Sequence, residues 1–319
     1  MSKLSMYQEL IKAIHENDIK CIETILDFTS ADIVETPLYI AVGNNNYEIC
    51  KMILAEEADP NSKNGESSET PFDYAIRIYC SNEYDKLDII ELLLQYKANP
   101  NVVGYVRYNV DHYTPLQKAI MSDKLDLVKL LLNYQADLDK NSLLGTQTDL
   151  HSLAHYFDED DNNGILINIE IAQLIVDKYT DINIRDNDGK TVFYKACSIG
   201  NTDLAKFLLS KGADPFIKSN EGKLCIEETY SDLYEFLLEL GLSPNPSIEG
   251  YWSLLHDAAK ENEVETVKIL LKYGVDKDVK HTKQGGYRFF PEDNAIGETP
   301  LEVAKRYGHS EIVELLEKN

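Results

Sequence analysis

The sequence is poor in basic residues and has no long apolar runs. Its 31 lysine and arginine residues stand against 55 aspartate and glutamate residues, which gives a formal net charge of −24. Nucleic acids and anionic membranes bind through basic surfaces, so this deficit argues against both as main partners. No stretch approaches the roughly 18 consecutive apolar residues that a membrane-spanning helix needs. We therefore expect neither a nucleic-acid nor a membrane partner, but another protein whose surface is basic.

Cysteine is also scarce, and its placement bears on the cellular compartment. The five cysteines form no Cys-x-x-Cys pair, and their odd number leaves at least one without a partner in the chain. This usage indicates a reduced intracellular compartment. The N-terminal residues carry charges every few positions, which is not typical of a signal peptide. We expect a cytoplasmic protein, or one delivered into a host cell without a signal peptide.

A six-residue motif, which we call the opening motif, recurs along the whole chain. Complete copies of its pattern Thr-Pro-(Leu/Phe)-x-x-Ala begin at Thr36, Thr70, Thr114 and Thr299. Weaker copies begin at Gln8, Thr148, Thr191, Leu224 and Ser253. Most spacings between copies lie near 33 residues once insertions are allowed for, and a period of this size indicates a repeat architecture.

Each part of the repeat has a physical reason. Threonine before proline suits the N-cap and first position of a helix, where proline's missing N–H is not needed. The small residue at the end of the opening motif lets two helices approach closely. An apolar cluster about thirteen residues later, such as 92–94, predicts an amphipathic second helix. Glycine at Gly212, Gly241 and Gly274 suits a left-handed turn after that helix. One such helix pair cannot bury its own apolar faces, so neighbouring pairs must stack.

These opening motifs, second helices and turns resemble the ankyrin-repeat family over residues 6–319. The resemblance implies an all-α solenoid of about nine stacked helix–turn–helix units with hairpin fingers, in a single array over 1–319. We expect capping repeats at 1–33 and 299–319 and internal repeats over 34–298. Relative to the family, insertions fall near 77–86, 103–111, 155–165 and 280–291. The seventh unit, from Leu224, lacks the Thr-Pro pair and several residues, and it is the predicted weak link.

Catalytic chemistry finds no support in the sequence. His151 and His256 fall in the histidine position of the opening motif, where the family uses the ring as a local hydrogen-bonding group. His151 and His155 are spaced to share one helix face, but no third metal ligand lies nearby. No glycine-rich phosphate loop or nucleophile motif is present. We predict a non-enzymatic protein with no metal and no cofactor.

One acidic loop nearly matches a calcium-binding loop. Glu159, Asp161, Asn163, Gly164 and Glu170 occupy positions one, three, five, six and twelve of that motif. Glutamate replaces the aspartate expected at the first position, and a solvated insertion between helices explains the same composition. A calcium-modulated binding protein therefore stays an alternative.

The resemblance also implies which residues contact a partner. Along the fingers and first helices these are Glu69, Tyr113, Asn187, Asp188, Lys190, Lys195, Ser198, Trp252 and Glu298. The inserted finger adds Tyr287, Arg288, Phe289 and Phe290, and arginine beside aromatic residues is typical of an interface. The alternatives are that these aromatics fold back on neighbouring fingers, or that they stack on nucleic acid, which the negative charge disfavours. We expect alanine at Trp252 and Phe290 to weaken binding without unfolding the stack.

The resemblance thus favours a protein-interaction module that is monomeric when free. Its biological setting stays open between two roles. The Ile-, Asn-, Lys- and Tyr-rich composition hints at an AT-rich genome, of a bacterium or a virus. The protein could then be an immunity or inhibitor protein that masks a basic toxin or enzyme, or an effector that engages host proteins.

Overall fold

The computed structural model describes residues 3–28, 35–63, 69–83, 87–102, 113–138, 148–154, 168–229, 233–245, 252–281 and 297–318. The predicted insertions at 103–111 and 155–165, and that at 280–291 beyond residue 281, lie outside these residues. The described part of the chain is helical, in agreement with the all-α prediction. None of its helices is long and apolar enough to cross a membrane.

The chain divides into two compact units, Met1–Ser152 and Leu153–Asn319, which we call unit 1 and unit 2. The helices of unit 1 are α1 (Lys3–Glu16), α2 (Ile19–Leu26), α3 (Glu35–Gly43), α4 (Tyr47–Ala55), α5 (Pro71–Cys80), α6 (Asp88–Gln95), α7 (Pro115–Met121), α8 (Leu125–Asn133) and α9 (Asp149–Ser152). Those of unit 2 are α10 (Ile169–Val176), α11 (Val192–Ser198), α12 (Thr202–Ser210), a 3-10 helix (Cys225–Glu228), α13 (Tyr234–Glu239), α14 (Leu254–Lys260), α15 (Val264–Lys272), α16 (Pro300–Tyr307) and α17 (Ser310–Lys318). The single array and its cap boundaries stay predictions.

Within each unit the helices form two rows. In unit 1 the first helices α1, α3, α5, α7 and α9 pack in sequence, and α2, α4 and α6 pack beside them as a second row. In unit 2 the contacts α11 with the 3-10 helix and α14 with α16 belong to the first row. The contacts of α10 with α12, of α13 with α15 and of α15 with α17 belong to the second row. Stacked helix pairs of this kind are the architecture that the repeat predicts.

The core lies between the rows, and the opening motif supplies much of it. The third motif position is fully buried at Leu10, Leu38, Phe72 and Leu255. The small residue at the sixth position is equally buried, as at Ala41, Ala119 and Ala196. Burying each large apolar side chain contributes about 1.5–3 kcal/mol, so these motif positions carry much of the stabilisation.

Side-chain caps begin the first helices as predicted. The backbone N–H of Asp73 donates to Thr70 Oγ1 at 3.0 Å, and that of Gln117 donates to Thr114 Oγ1 at 3.2 Å. Gln117 Oε1 accepts the N–H of Thr114 at 3.0 Å and completes a capping box. The opening motif at Thr36 differs, because α3 already begins at Glu35. Pro37 is still tolerated there, since the first turn of a helix has no partners for its N–H groups.

Two of the irregular units take shapes that the opening motif alone did not predict. The first helix of the seventh unit is reduced to the 3-10 helix, where the Glu227 carboxylate accepts the N–H of Leu224 at 2.8 Å. The third unit uses part of its insertion near 77–86 to lengthen a helix, because α5 runs for 10 residues and α7 for 7. Extra residues that can continue a helix keep their backbone groups paired, whereas a missing motif leaves only a short turn.

Left-handed turns end the second helices, but the two units build them with different residues. Unit 2 uses glycine, with φ of 93° at Gly212, 91° at Gly241 and 77° at Gly274. Unit 1 has residues other than glycine in the same left-handed backbone conformation, with φ of 65° at Glu57, 70° at Lys97 and 61° at Gln135. A left-handed residue other than glycine costs about 1–2 kcal/mol, so these turns of unit 1 are strained.

Replacing Gln135 by glycine is expected to stabilise unit 1. The relieved strain of about 1–2 kcal/mol exceeds the free-energy cost of the conformational entropy that glycine loses on folding, about 0.5–1 kcal/mol, so the middle of the two ranges gives a net gain of about 0.75 kcal/mol. Gly212→Ala is the matched control in the opposite direction, because a Cβ there would meet nothing within 4 Å and only its φ matters. Urea unfolding followed by circular dichroism measures both. A Gln135→Gly midpoint at or below that of the parent protein contradicts the strain.

Candidate functional site

Two tyrosines and an arginine stack on the first-helix face of unit 1. Tyr39 of α3 lies 4.5 Å from Tyr74 of α5, measured between ring centroids, with 13° between the planes. The guanidinium carbon of Arg77, one turn further along α5, lies 4.7 Å from the centre of the Tyr74 ring. Both tyrosines are half-buried, and 41% of the Arg77 side chain is exposed. We call Tyr39, Tyr74, Arg77 and Glu69 the tyrosine–arginine cluster.

Glu69 holds this cluster together. Its Oε2 accepts the Tyr39 hydroxyl at 2.8 Å and Arg77 Nη2 at 3.3 Å, while Oε1 accepts Arg77 Nε at 2.9 Å. The hydrogen bonds from Arg77 to Glu69 raise the pKa of Arg77. Glu69 as a whole is only 5% exposed. Glu69, predicted to contact a partner directly, therefore orients the exposed side chains around it.

The ring stack depends on the residues beneath it. A Cβ at Gly43 would lie 2.8 Å from Cε1 of Tyr74, so any other residue there would displace the ring from its close approach to α3. Asp73 is 2% exposed, and its Oδ2 accepts the Thr70 hydroxyl at 3.0 Å. Burial raises the pKa of Asp73, while the charge of Lys118 on α7 opposes that rise. Tyr74 thus packs closely against α3, and the buried Asp73 next to it in α5 is influenced by the charge of Lys118 on α7.

Two neighbouring fingers of unit 2 are joined by side-chain hydrogen bonds. Each ends in a tight turn, closed by Asp186 N to Lys190 O at 2.9 Å and by Ser219 N to Lys223 O at 2.9 Å. Asn220 bridges them, because its Nδ2 donates to the carbonyl of Asn187 at 2.7 Å and its Oδ1 accepts Arg185 Nη2 at 3.1 Å. The side chains of Asn187 and Asp188, both predicted contact residues, are exposed on this turn.

Asn220→Ala is expected to loosen this pair of fingers. It removes two hydrogen bonds worth about 0.5–1.5 kcal/mol each and leaves the backbone bond from Asn220 N to Asp188 O. Amide hydrogen exchange across residues 186–190 should become about tenfold faster or more. Asn187→Ala is the matched control, since Asn220 bonds only to the main-chain carbonyl of Asn187. Equal exchange in both variants contradicts the bridge.

The predicted contact lysines of unit 2 already form ion pairs. Lys195 Nζ lies 3.0 Å from Asp186 Oδ2, and Lys190 Nζ lies 2.7 Å from Glu228 Oε2. Lys190 also lies 5.2 Å from the centre of the buried Tyr194 ring. Ser198, a third predicted contact residue, donates its hydroxyl to the carbonyl of Lys195 at 3.0 Å. The positive charges of Lys190 and Lys195 are thus neutralised by acidic side chains of unit 2 itself.

Trp252 is a core residue and does not offer its ring to a partner. It is 2% exposed, and its Nε1 donates to Asp257 Oδ1. Its ring packs 4.7 Å from that of His256 and edge-on 5.3 Å from that of His281, measured between centroids. The expectation that alanine at Trp252 would spare the fold is therefore replaced by the opposite one.

His256 and Glu298 belong to the surroundings of Trp252. His256 Nδ1 lies 2.8 Å from Ser253 Oγ, and its Nε2 lies 3.1 Å from the carbonyl of Glu298. Burial lowers the pKa of His256 to about 4. The Glu298 carboxylate pairs with Arg306 Nη2 at 3.1 Å. His151 likewise lies 2.8 Å from the Thr148 hydroxyl, so both histidines of the opening motif act as local hydrogen-bonding groups.

The remaining predicted residues divide between the surface and the undescribed segments. Tyr113 is half-buried directly before the N-cap Thr114. Tyr287, Arg288, Phe289, Phe290 and the acidic loop before Glu170 lie outside the described residues. Glu170 lies in the first turn of α10, where its N–H donates to Asn168 Oδ1 at 2.9 Å. In the described ranges, no group of three or more His, Cys, Asp or Glu side chains is placed to hold a metal ion.

Sequence reasoning missed Tyr39, Tyr74, Arg77, Arg185 and Asn220. Tyr39 and Tyr74 occupy the fourth and fifth positions of consecutive opening motifs, so aromatic residues at neighbouring motif positions were the signal that could have found them. Arg77, Arg185 and Asn220 gave no such signal, because each contacts a residue in a turn or in a neighbouring repeat.

The comparisons with known proteins agree with the stacked helix pairs. The family described as "Ankyrin repeats (3 copies)" matches residues 65–142, 163–248 and 223–319, and the single "Ankyrin repeat" matches residues 35–65. The protein belongs to the ankyrin-repeat family. Ankyrin repeats generally mediate protein–protein interaction, and their fold is typically a non-enzymatic interaction module.

Individual relatives are more distant. An ankyrin repeat protein of Rickettsia bellii (strain RML369-C) is 29% identical over 160 residues, which is 48% of this chain and 81% of the relative. Potassium channel AKT2/3 of Arabidopsis thaliana is 31% identical over 141 residues, which is 43% of this chain and 16% of the channel. The ankyrin repeat domain of Bcl-3 matches in structure with a TM-score of 0.46 and 18% identity, over 88% of this chain and 97% of that domain. The chain spans less than two thirds of several further relatives.

Proposed function

We propose that this ankyrin-repeat protein is a non-enzymatic module that binds a partner protein with a basic surface through its first helices and fingers. The observation that carries the proposal is the even spread of negative charge. Residues 1–152 contain 24 acidic and 13 basic residues, and residues 153–319 contain 31 and 18. Each unit therefore carries a net negative charge of its own, and complementary charge favours a basic partner.

The finger contacts of unit 2 support the same polarity. Lys190 and Lys195 are held by acidic side chains of the unit, whereas the side chain of Asp188 is exposed on the turn. The exposed carboxylate of Asp188 is available to a basic group of a partner that approaches these fingers. Such complementarity speeds association and makes it depend on salt.

Salt-graded affinity capture tests this proposal. The immobilised chain is exposed to lysate at about 50 mM salt and eluted at about 500 mM, and each released protein is expressed and titrated by calorimetry. We expect a one-to-one complex with a basic protein whose affinity falls at least tenfold across that range, because screening weakens exposed charge pairs. An acidic partner, or an affinity that salt leaves unchanged, contradicts the proposed surface chemistry.

A matched pair of charge reversals places the contact. Asp188→Lys alters an exposed finger carboxylate, and Glu239→Lys makes the same change of charge at the end of α13 in the second row. We expect the finger variant to bind about three- to tenfold more weakly and the α13 variant to change affinity less than twofold. The reverse order places the contact on the second helices instead.

We further propose a monomer that acts in a reducing compartment such as the cytoplasm. All five cysteines are free thiols, and burial raises the pKa of Cys50 to about 12, which keeps that thiol protonated. Sedimentation of the free protein at the mass of one 36.3 kDa chain supports the monomer, and a concentration-dependent dimer contradicts it.

A further inference from the structure

The tyrosine–arginine cluster is a half-exposed aromatic surface of unit 1 whose side chains are held in place before any partner arrives. Glu69 fixes Tyr39 and Arg77 through hydrogen bonds of 2.8 to 3.3 Å, and Tyr74 is clasped between Tyr39 and the guanidinium. Tyrosine and arginine are among the residue types most enriched where binding energy concentrates. Side chains that are already ordered lose little rotamer freedom on binding, which favours affinity.

The charge of the cluster differs from that of its surroundings. Arg77 and Glu69 neutralise each other, while residues 1–152 as a whole carry 24 acidic and 13 basic residues. A neutral aromatic centre in a unit of net negative charge matches a partner that is apolar at one point and basic around it. A carboxylate is disfavoured there by the net negative charge of unit 1 and by Glu69, which already balances the charge of the guanidinium.

The two most exposed of the described aromatic residues lack this preparation, whereas Tyr307 of unit 2 has a similar arrangement, because Arg306 lies 5.0 Å from its ring centre and pairs with Glu298. Phe28 is 77% exposed beyond the end of α2 and Phe216 is 52% exposed on a finger of unit 2, and single exposed apolar side chains are normal on a protein surface. Trp252 is enclosed in the core. The cluster combines exposure, fixed geometry and two residue types that dominate interfaces.

We infer that the tyrosine–arginine cluster is the anchor point for the partner. The partner presents a segment of net positive charge, with an apolar or aromatic side chain against the edges of the Tyr39 and Tyr74 rings. A main-chain carbonyl of that segment accepts a hydrogen bond from the exposed edge of Arg77. This inference rests on the proposed function and names the chemistry and place of its contact in unit 1.

Peptide selection on the full chain tests the anchor even while the partner is unidentified. A displayed library of random peptides about 12 residues long is selected on the immobilised protein, and enriched peptides are synthesised and titrated. We expect basic peptides that carry an aromatic or large aliphatic residue. An enriched pool that is acidic or lacks such a residue overturns the inference, as does a pool with no enrichment over the uncoated support.

Variants then show whether the peptides use the cluster. Tyr74→Ala is expected to weaken binding about 10- to 100-fold, as for a central interface tyrosine. Arg77→Lys keeps the charge but removes the planar fork and the ring contact, and we expect a loss of about tenfold. Tyr47→Ala is the control, because Tyr47 is a 36% exposed tyrosine at the start of α4 in the second row, and it should change affinity less than twofold.

The outcomes separate this inference from the proposed function. Thermal unfolding followed by circular dichroism checks that each variant is folded. If Tyr74→Ala unfolds at a lower temperature than the parent protein, the peptide affinities of Arg77→Lys and Tyr39→Phe test the anchor instead. Basic peptides whose salt-dependent binding is unaffected by the cluster variants overturn the anchor but leave the basic-partner proposal standing. Loss of binding in the Tyr47 variant and not in the cluster variants overturns the anchor as well.

Discussion

Replacing Trp252 by alanine is expected to lower the free energy of unfolding of unit 2 by about 3–5 kcal/mol, the usual loss for a large aromatic residue removed from a core. The ring is 2% exposed and packs against both His256 and His281. Alanine would leave a cavity between α14 and the finger that follows α15, and it would also remove the indole donor to Asp257.

Urea unfolding followed by circular dichroism measures this loss. The chain has one tryptophan, so its fluorescence also reports the unfolding of unit 2 in the parent protein. Trp252→Phe is the control that keeps most of the ring packing and removes the hydrogen bond, and we expect it to cost less than half as much. A Trp252→Ala protein as stable as its parent, with only its partner affinity reduced, would restore the surface role that the sequence indicates.

Asp257→Asn is expected to stabilise the protein above pH 7 by about 2–4 kcal/mol and to leave it nearly unchanged near pH 4. Burial raises the pKa of Asp257 from 3.8 to about 7, although Trp252 Nε1 donates to the carboxylate and opposes the rise. A change of one in pKa corresponds to about 1.4 kcal/mol, so the rise from 3.8 to about 7 gives the upper end of the expected gain, about 4 kcal/mol. Asparagine keeps an acceptor for the indole and carries no charge to bury.

The direction of the pH dependence follows from linkage. The folded protein holds the Asp257 proton more tightly than the unfolded chain does, so this stabilisation is complete below about pH 4 and is lost as the pH rises through 7. For His256 the order is reversed. Its folded pKa of about 4 lies below the usual 6.5, so its stabilisation is complete above pH 6.5 and is lost as the pH falls through 4.

Unfolding curves at pH 4, 6 and 8 test the Asp257 prediction. Asp203→Asn, which removes one negative charge from the exposed first turn of α12, is the matched control for net charge. We expect the control to shift stability equally at pH 6 and 8, and Asp257→Asn to gain stability between them. An Asp257→Asn gain of equal size at pH 4 and pH 8 contradicts the raised pKa.

Much of the fold could be predicted from local spacing, because the residues that set it lie within one repeat. The Thr70 and Thr114 hydroxyls act three residues ahead in the chain, and the predicted caps are confirmed. The turn glycines at Gly212 and Gly241 are confirmed for the same reason. The missing Thr-Pro pair showed that the seventh repeat is irregular. That its first helix is a 3-10 helix could not be predicted, because this depends on how residues around Glu227 pack against α11.

The candidate site was harder to predict, since its contacts join residues about one repeat apart. Glu69 meets the Tyr39 hydroxyl 30 positions away, and Lys190 meets Glu228 38 positions away. An opening motif assigns a residue to a finger or a helix, but it does not say which side chain of the next repeat will neutralise it. For Trp252 the enclosing ring of His281 comes from the finger that follows α15, well beyond its own repeat motif.

The side chains that stand where glycine is favoured have a practical consequence for measuring affinity. Glu57, Lys97 and Gln135 all belong to turns after second helices, away from the first-helix face that carries Tyr39 and Tyr74. Changing one, then two, then all three of them to glycine yields a graded series of proteins with the same candidate contact surface and rising resistance to unfolding. A further substitution that weakens partner binding can then be tested in each member of that series. If the loss of affinity is the same in every member, the substituted residue touches the partner. If the loss shrinks as stability rises, the residue only keeps unit 1 folded.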